Sequence, residues 1–153
     1  MPDRLTISRA APPAPPALLG SAVACTPAAG SLVEVLRQAA AECPAALYLD
    51  LLDEKGQPHE RSFRAVWHGA ERWARWLRAR PVPRGARIAL LLPTGDDFVG
   101  AFFGAQLAGA IPVPLPFPLG LGNPEKLIAA LAGIVASARP DLLIAPPHLA
   151  GAA

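Results

Sequence analysis

Proline stands at four alternate positions, Pro112, Pro114, Pro116 and Pro118, inside a run of 27 residues, Phe98 to Pro124, that carries no charge. An uncharged run of that length raises the question of a membrane span, which needs about 20 apolar residues in one helix. Proline lacks an amide hydrogen and its ring clashes with the preceding turn, so alternate prolines cannot lie inside a helix. What remains before them is a helix of about 13 residues, roughly 20 Å long, short of a ~30 Å hydrocarbon core. The run therefore reads as a buried helix followed by an extended segment, with no membrane span.

At 153 residues the chain has the size of one domain around one core. Hydrophobic residues make up 52% and charged residues 17%, which excludes a wholly disordered chain. A net charge of +2 gives no reason to expect a nucleic-acid or anionic-membrane partner. Cys25 and Cys43 are eighteen positions apart, without zinc-ligand spacing, and read as reduced thiols of a cytoplasmic protein. Met1 to Gly30 holds six prolines and eight alanines and reads as a disordered tail, 1–30. Ala17 to Ala24 before Cys25 has some look of an export signal. The apolar run is short, however, prolines abut it, and Asp3 offsets Arg4 and Arg9.

Order is expected from Ser31. Ser31-Leu32-Val33-Glu34 is a capping box, opening a helix that Pro44 stops. Leu47–Leu52 and His59–Phe63 flank Asp53-Glu54-Lys55-Gly56 and read as a hairpin. A second helix follows: Phe63, Val66, Trp67, Ala70, Trp73, Ala74 and Leu77 form one stripe, with Arg64, His68, Glu71, Arg72, Arg75 and Arg78 opposite. Ile88–Leu92 reads as a buried strand, Thr94 and Asp97 as a capping box, and Phe98–Ala110 as a helix apolar nearly all round. Ile111–Leu115 is a further extended run. Asn123-Pro124-Glu125 starts a helix with Leu127, Ile128, Leu131, Ile134 and Val135 on one face, and Leu142–Ala145 is a third buried strand. Alternating strands and helices imply an α/β fold with a mostly parallel sheet and flanking helices.

Few residues suggest chemistry. Eight of the fourteen basic residues lie between Arg61 and Arg87, interleaved with three tryptophans, but the tryptophans sit on or beside the apolar stripe, so a solvated helix face outweighs a nucleic-acid surface. His59, His68 and His148 lack metal-ligand spacing, and no Ser or Cys lies in a nucleophile motif. Gly100, Gly104 and Gly109 read as helix positions that allow close packing on the sheet. Gly120-Leu121-Gly122 is the nearest approach to a phosphate loop, without the lysine and hydroxyl of a P-loop.

In unbroken order, Ser62-Phe63-Arg64-Ala65-Val66, Arg87-Ile88-Ala89-Leu90-Leu91-Leu92-Pro93, Phe98 to Gly104, Ala108-Gly109-Ala110-Ile111-Pro112-Val113-Pro114 and Ala138 to Ile144 resemble the opening of the adenylate-forming (AMP-binding) enzymes. The resemblance covers residues 31–153, as the N-terminal portion of the adenylation domain. Val113-Pro114-Leu115-Pro116-Phe117-Pro118 is most similar to fatty acyl-AMP ligases and fatty acyl-CoA ligases, whereas amino-acid-activating domains usually carry an acid where Phe117 stands. The resemblance implies an incomplete N-terminal subdomain of a fatty-acid-adenylating enzyme. ATP and magnesium are implied for the complete enzyme, as is a phosphopantetheine thiol, on acyl carrier protein or CoA, that takes the acyl group. The family's Pro-Lys-Gly phosphate loop, adenine and ribose motifs and mobile lid match nothing here, so no catalytic, cofactor-binding or metal residue is assigned. The expected partner is the remainder of the adenylation domain, and the chain alone is expected to be inactive. Two other readings stay open: a non-catalytic module docking an acidic carrier protein through the arginine face, and a small membrane-associated protein.

Overall fold

The computed structural model describes residues 30–53, 55–117 and 124–147, with only the backbone of 124–128. The tail 1–30 up to Pro27-Ala28-Ala29, Cys25, Gly120-Leu121-Gly122, the cap Asn123 and His148 lie outside the described residues.

Helix α1 spans Leu32–Glu42, and the Ser31 hydroxyl accepts the Glu34 amide as the capping pattern requires. The Glu34 carboxylate does not return to the cap; it turns to Arg37, with Nη2 at 2.6 Å. The stronger charged donor one turn along outcompetes a neutral amide. Strands β1 (Leu47–Leu52) and β2 (Pro58–Ser62) pair antiparallel as their own two-stranded sheet. In their loop the Asp53 carboxylate accepts the amides of Lys55 and Gln57 at 2.8 and 2.9 Å, and Gly56 takes φ +74°, which glycine adopts without strain. β2 ends one residue before the expected Phe63, because Ser62 caps helix α2 (Phe63–Arg78) by accepting the Ala65 amide.

Strands β3 (Arg87–Leu90), β4 (Ile111–Pro114) and β5 (Leu142–Ile144) form a parallel sheet in the order β4-β3-β5. Helix α3 (Asp96–Leu107) joins β3 to β4, and helix α4 (Pro124–Ala138) joins β4 to β5. Parallel neighbours cannot be joined by a tight turn, so each needs such a crossover. The α/β architecture and parallel sheet expected from the alternating pattern are present. Ile88, Ala89 and Leu90 are all fully buried, so both faces of the central strand are covered.

Three local expectations fail. The start of α3 has Gly95 as its cap with no side-chain bond, so Thr94 and Asp97 do not form a capping box. The helix begins two residues earlier than expected, and Asp96 and Asp97 still lie in its first turn, where negative charge complements the helix dipole. Gly109 lies beyond the end of α3 with φ +83°, a left-handed position that lets the chain leave the helix. Gly100 and Gly104 approach α2 and not the sheet: a Cβ on Gly104 would lie 2.5 Å from Trp73 Cβ and 2.9 Å from the Ala70 carbonyl oxygen.

Two apolar clusters meet on α3. Ala101 and Ala105 pack with Leu77, Ile88, Leu90 and Ile144, while Phe103 packs with Leu36, Val66 and Ala70. A helix between a sheet and other helices needs apolar residues all round, which accounts for its sequence. α4 ends where Arg139 adopts φ +46° ahead of Pro140. Asp141 then ties β5 to β3: its carboxylate accepts the Arg87 amide at 2.8 Å, and its own amide donates to the Arg87 carbonyl at 2.8 Å.

Candidate functional site

Open parallel sheets bind ligands outside the carboxyl ends of their strands, where the strand order reverses. Here the reversal is at β3, with β4 on one side and β5 on the other. A cleft of 540 Å³ opens at that end. Leu143, Ile144 and Ala145 form one wall, Trp73, Trp76 and Arg72 of α2 another, and Asp97 of the first turn of α3 also lines it. Trp73 and Trp76 meet edge to face at 5.5 Å, and the Arg80 guanidinium lies 3.2 Å from the centre of the Trp76 ring, a cation–π contact. The size suits a ligand, but the lining supplies one cation, one carboxylate and apolar surface.

A second cleft of 350 Å³ lies between the hairpin, α2 and α3, bordered by Arg61, His68, Arg72 and Asp96. Arg61 grips Asp96 with two parallel bonds, Nε to Oδ1 at 2.7 Å and Nη2 to Oδ2 at 2.8 Å. That hydrogen bonding from Arg61 holds the Asp96 carboxyl below the usual carboxylate range, against a smaller opposing effect of burial, and Arg72 and His59 add to the lowering. The clasp joins residues 35 apart in sequence and fixes β2 on the start of α3. Sequence reasoning missed it, because no local pattern pairs an exposed arginine with a distant acid.

The arginine face of α2 lies where the periodicity put it: Arg64, His68, Arg72, Arg75 and Arg78 are exposed. His68 contacts Glu71 at 3.1 Å within α2, and His59 of β2 contacts Asp53 of the hairpin loop at 3.3 Å. Among the described residues no three His, Cys, Asp or Glu side chains group as metal ligands. Magnesium asks for carboxylates around an octahedral site. The donor set of the described residues does not fit it, and among the described residues no glycine-rich phosphate loop lines either cleft. No helix among the described residues is long and apolar enough to cross a membrane.

A parallel β-α-β-α-β unit with a cleft at the carboxyl end of its strands is an open α/β sheet of the kind that takes ligands where its strand order reverses. The model of the family described as AMP-binding enzyme matches residues 36–152, and the chain belongs to that family. The chain is 37% identical over 67 residues to the long-chain fatty acid AMP ligase FadD23 of Mycobacterium tuberculosis, 44% of this chain and 11% of that one. It is 31% identical over 107 residues to the 4-hydroxyphenylalkanoate adenylyltransferase of the same species, 66% of this chain and 17% of that one. A solved fatty acyl-adenylate ligase of Legionella pneumophila, in complex with acyl adenylate and pyrophosphate, superposes with a TM-score of 0.67 at 27% identity, over 77% of this chain and 20% of that chain. The chain therefore spans between 11% and 20% of the length of these proteins. Its fold is that of the N-terminal subdomain of adenylate-forming enzymes.

Proposed function

We propose that this chain is the N-terminal portion, residues 31–153, of an enzyme that adenylates fatty acids. In that reaction the fatty-acid carboxylate attacks the α-phosphorus of ATP and displaces pyrophosphate, leaving acyl-AMP. A phosphopantetheine thiol, on acyl carrier protein or CoA, then displaces AMP and forms the thioester. The chain's own share is structural: its sheet and the α2–α3 pair carry one wall of the domain, while the groups that stabilise the transferring phosphoryl come from the remainder. Positioning and preorganised charge carry such chemistry, so the chain without them is inactive.

The observation that carries the reading is the match to the AMP-binding family over residues 36–152. It is tested by grafting. ATP–pyrophosphate exchange with dodecanoate is measured for the full chain and for a hybrid in which its residues 31–147 replace the matching segment of the Legionella ligase. The chain should give no exchange above a blank, and the hybrid should exchange. Exchange by the chain alone would refute its dependence on a remainder, and a folded hybrid without exchange would refute the family role.

A second reading has one observation in its favour. Arg64, Arg72 and Arg75 are exposed and make no side-chain hydrogen bond or ion pair with the described residues, a surface suited to an acidic carrier protein. Binding of acyl carrier protein to the chain, lost between low and high salt and in an Arg64→Ala/Arg72→Ala/Arg75→Ala variant, would favour it.

A further inference from the structure

The two edges of the parallel sheet are not alike. Ile111 donates its amide to the Ala86 carbonyl at 2.8 Å and Leu115 donates to that of Leu90 at 3.0 Å. Successive residues of a strand present their backbone groups to opposite sides, so positions 112 and 114 face away from β3. No strand is paired on that side among the described residues. Both positions are proline. Every outward position within β4 thus lacks a donor, while the inward Ile111 and Val113 keep theirs. A proline at 111 or 113 would have removed a bond to β3; at 112 and 114 it removes only what a foreign strand would use.

On the opposite edge no strand pairs with the outer side of β5 among the described residues. The Ile144 carbonyl accepts the Leu91 amide at 2.9 Å, so Ile144 faces β3. Leu143, one position earlier, turns its N–H and C=O outward, and its side chain is 46% exposed.

We propose that Pro112 and Pro114 are an edge guard that makes this sheet extendable on one side only, so that any added strand joins β5 beside Leu143. This rests on backbone register and is independent of adenylation. The device limits association by geometry. A sheet with one open edge can pair with one other copy and stop, whereas two open edges allow open-ended growth.

Sedimentation of the full chain over a wide concentration range tests this. The native protein should not exceed twice its 15.9 kDa mass. The Pro112→Val/Pro114→Thr variant should gain mass continuously with concentration, and adding Leu143→Pro should cap it again at a dimer. A double variant that melts cooperatively and keeps the native mass throughout would overturn the proposal. So would native growth beyond a dimer that survives Leu143→Pro. Amide exchange gives a second readout that does not depend on association. At low concentration the new amides at 112 and 114 should exchange at least 100-fold faster than those of Ile111 and Val113. Equal protection would place the prolines off the edge and overturn the guard. Pro114→Ala alone carries the same exchange test with less change to the strand.

Discussion

Helices α3 and α4 are both apolar crossovers of one sheet, yet they are used differently. α3 is held on two sides: Ala101 and Ala105 are fully buried against the sheet and Leu77, while Gly100 and Gly104 form a notch that admits Trp73 of α2. α4 leaves much of its surface open: Ala129, Ala130, Ala132 and Ala136 are exposed, Leu131 and Ile134 are half-buried, and Val135 is 38% exposed. The difference teaches that hydrophobicity states what a helix can bury, whereas small residues at a spacing of four state where another backbone comes close. Gly100 and Gly104 in α3, facing Gly69, Ala70, Trp73 and Ala74 in α2, form such a pattern; α4 has no described partner of that kind.

The sharpest way to break the contrast is to empty the notch. Trp73→Ala should cost about 3 kcal/mol, the lower end of the range for deleting a large aromatic, since Trp73 is partly exposed. Thermal or urea unfolding would read the loss, and an unchanged midpoint would contradict the packing. Filling the notch comes next. Gly104→Ala places a methyl against the backbone of Ala70 and Ala74, which cannot move aside as a flexible side chain can. It should cost about 2 kcal/mol, in the overpacking range, although alanine is the better helix former. Gly133→Ala in α4, where a Cβ would meet nothing within 4 Å, should instead stabilise by about 0.5 kcal/mol or more.

The Arg61–Asp96 clasp gives a smaller effect that depends on pH. Asp96 has a lowered pKa in the folded protein, so its contribution is complete above the unfolded value of about 3.9 and is lost as pH falls through the folded value. Both partners are solvent-accessible, so Asp96→Asn should cost only about 0.5 kcal/mol at neutral pH. The native and variant unfolding midpoints should converge in acid below the folded value. A difference that grew in acid would reverse the assignment. Smallest of all, Arg75→Ala on the solvated face and Val135→Ala on α4 should each change stability within about ±0.5 kcal/mol.

Much of this was legible in the chain. The Ser31 cap, the hairpin with its Gly56 turn, the amphipathic α2 and the alternating strands lie where local rules put them, because caps, turns and periodicity are decided within a few residues. The Thr94 cap failed because the Asp96 clasp and the extended Gly95 set the start of α3 from outside the local pattern. Trp76 sits at the border of its stripe and proved 39% exposed under Arg80, an arrangement that i to i+4 spacing on α2 could have suggested. The clefts were not legible, since each is walled by elements far apart in sequence.

The sequence by itself determined the order of elements, the parallel α/β class and the family likeness, since hydrophobic period, prolines and motif order are properties of one dimension. Tertiary structure alone decided which neighbour each small residue serves, which carboxylate Arg61 holds, and which edge of the sheet the alternate prolines face. Those depend on how segments tens of residues apart are brought together, and backbone register gives the same Pro112 and Pro114 opposite meanings according to the side on which β3 lies.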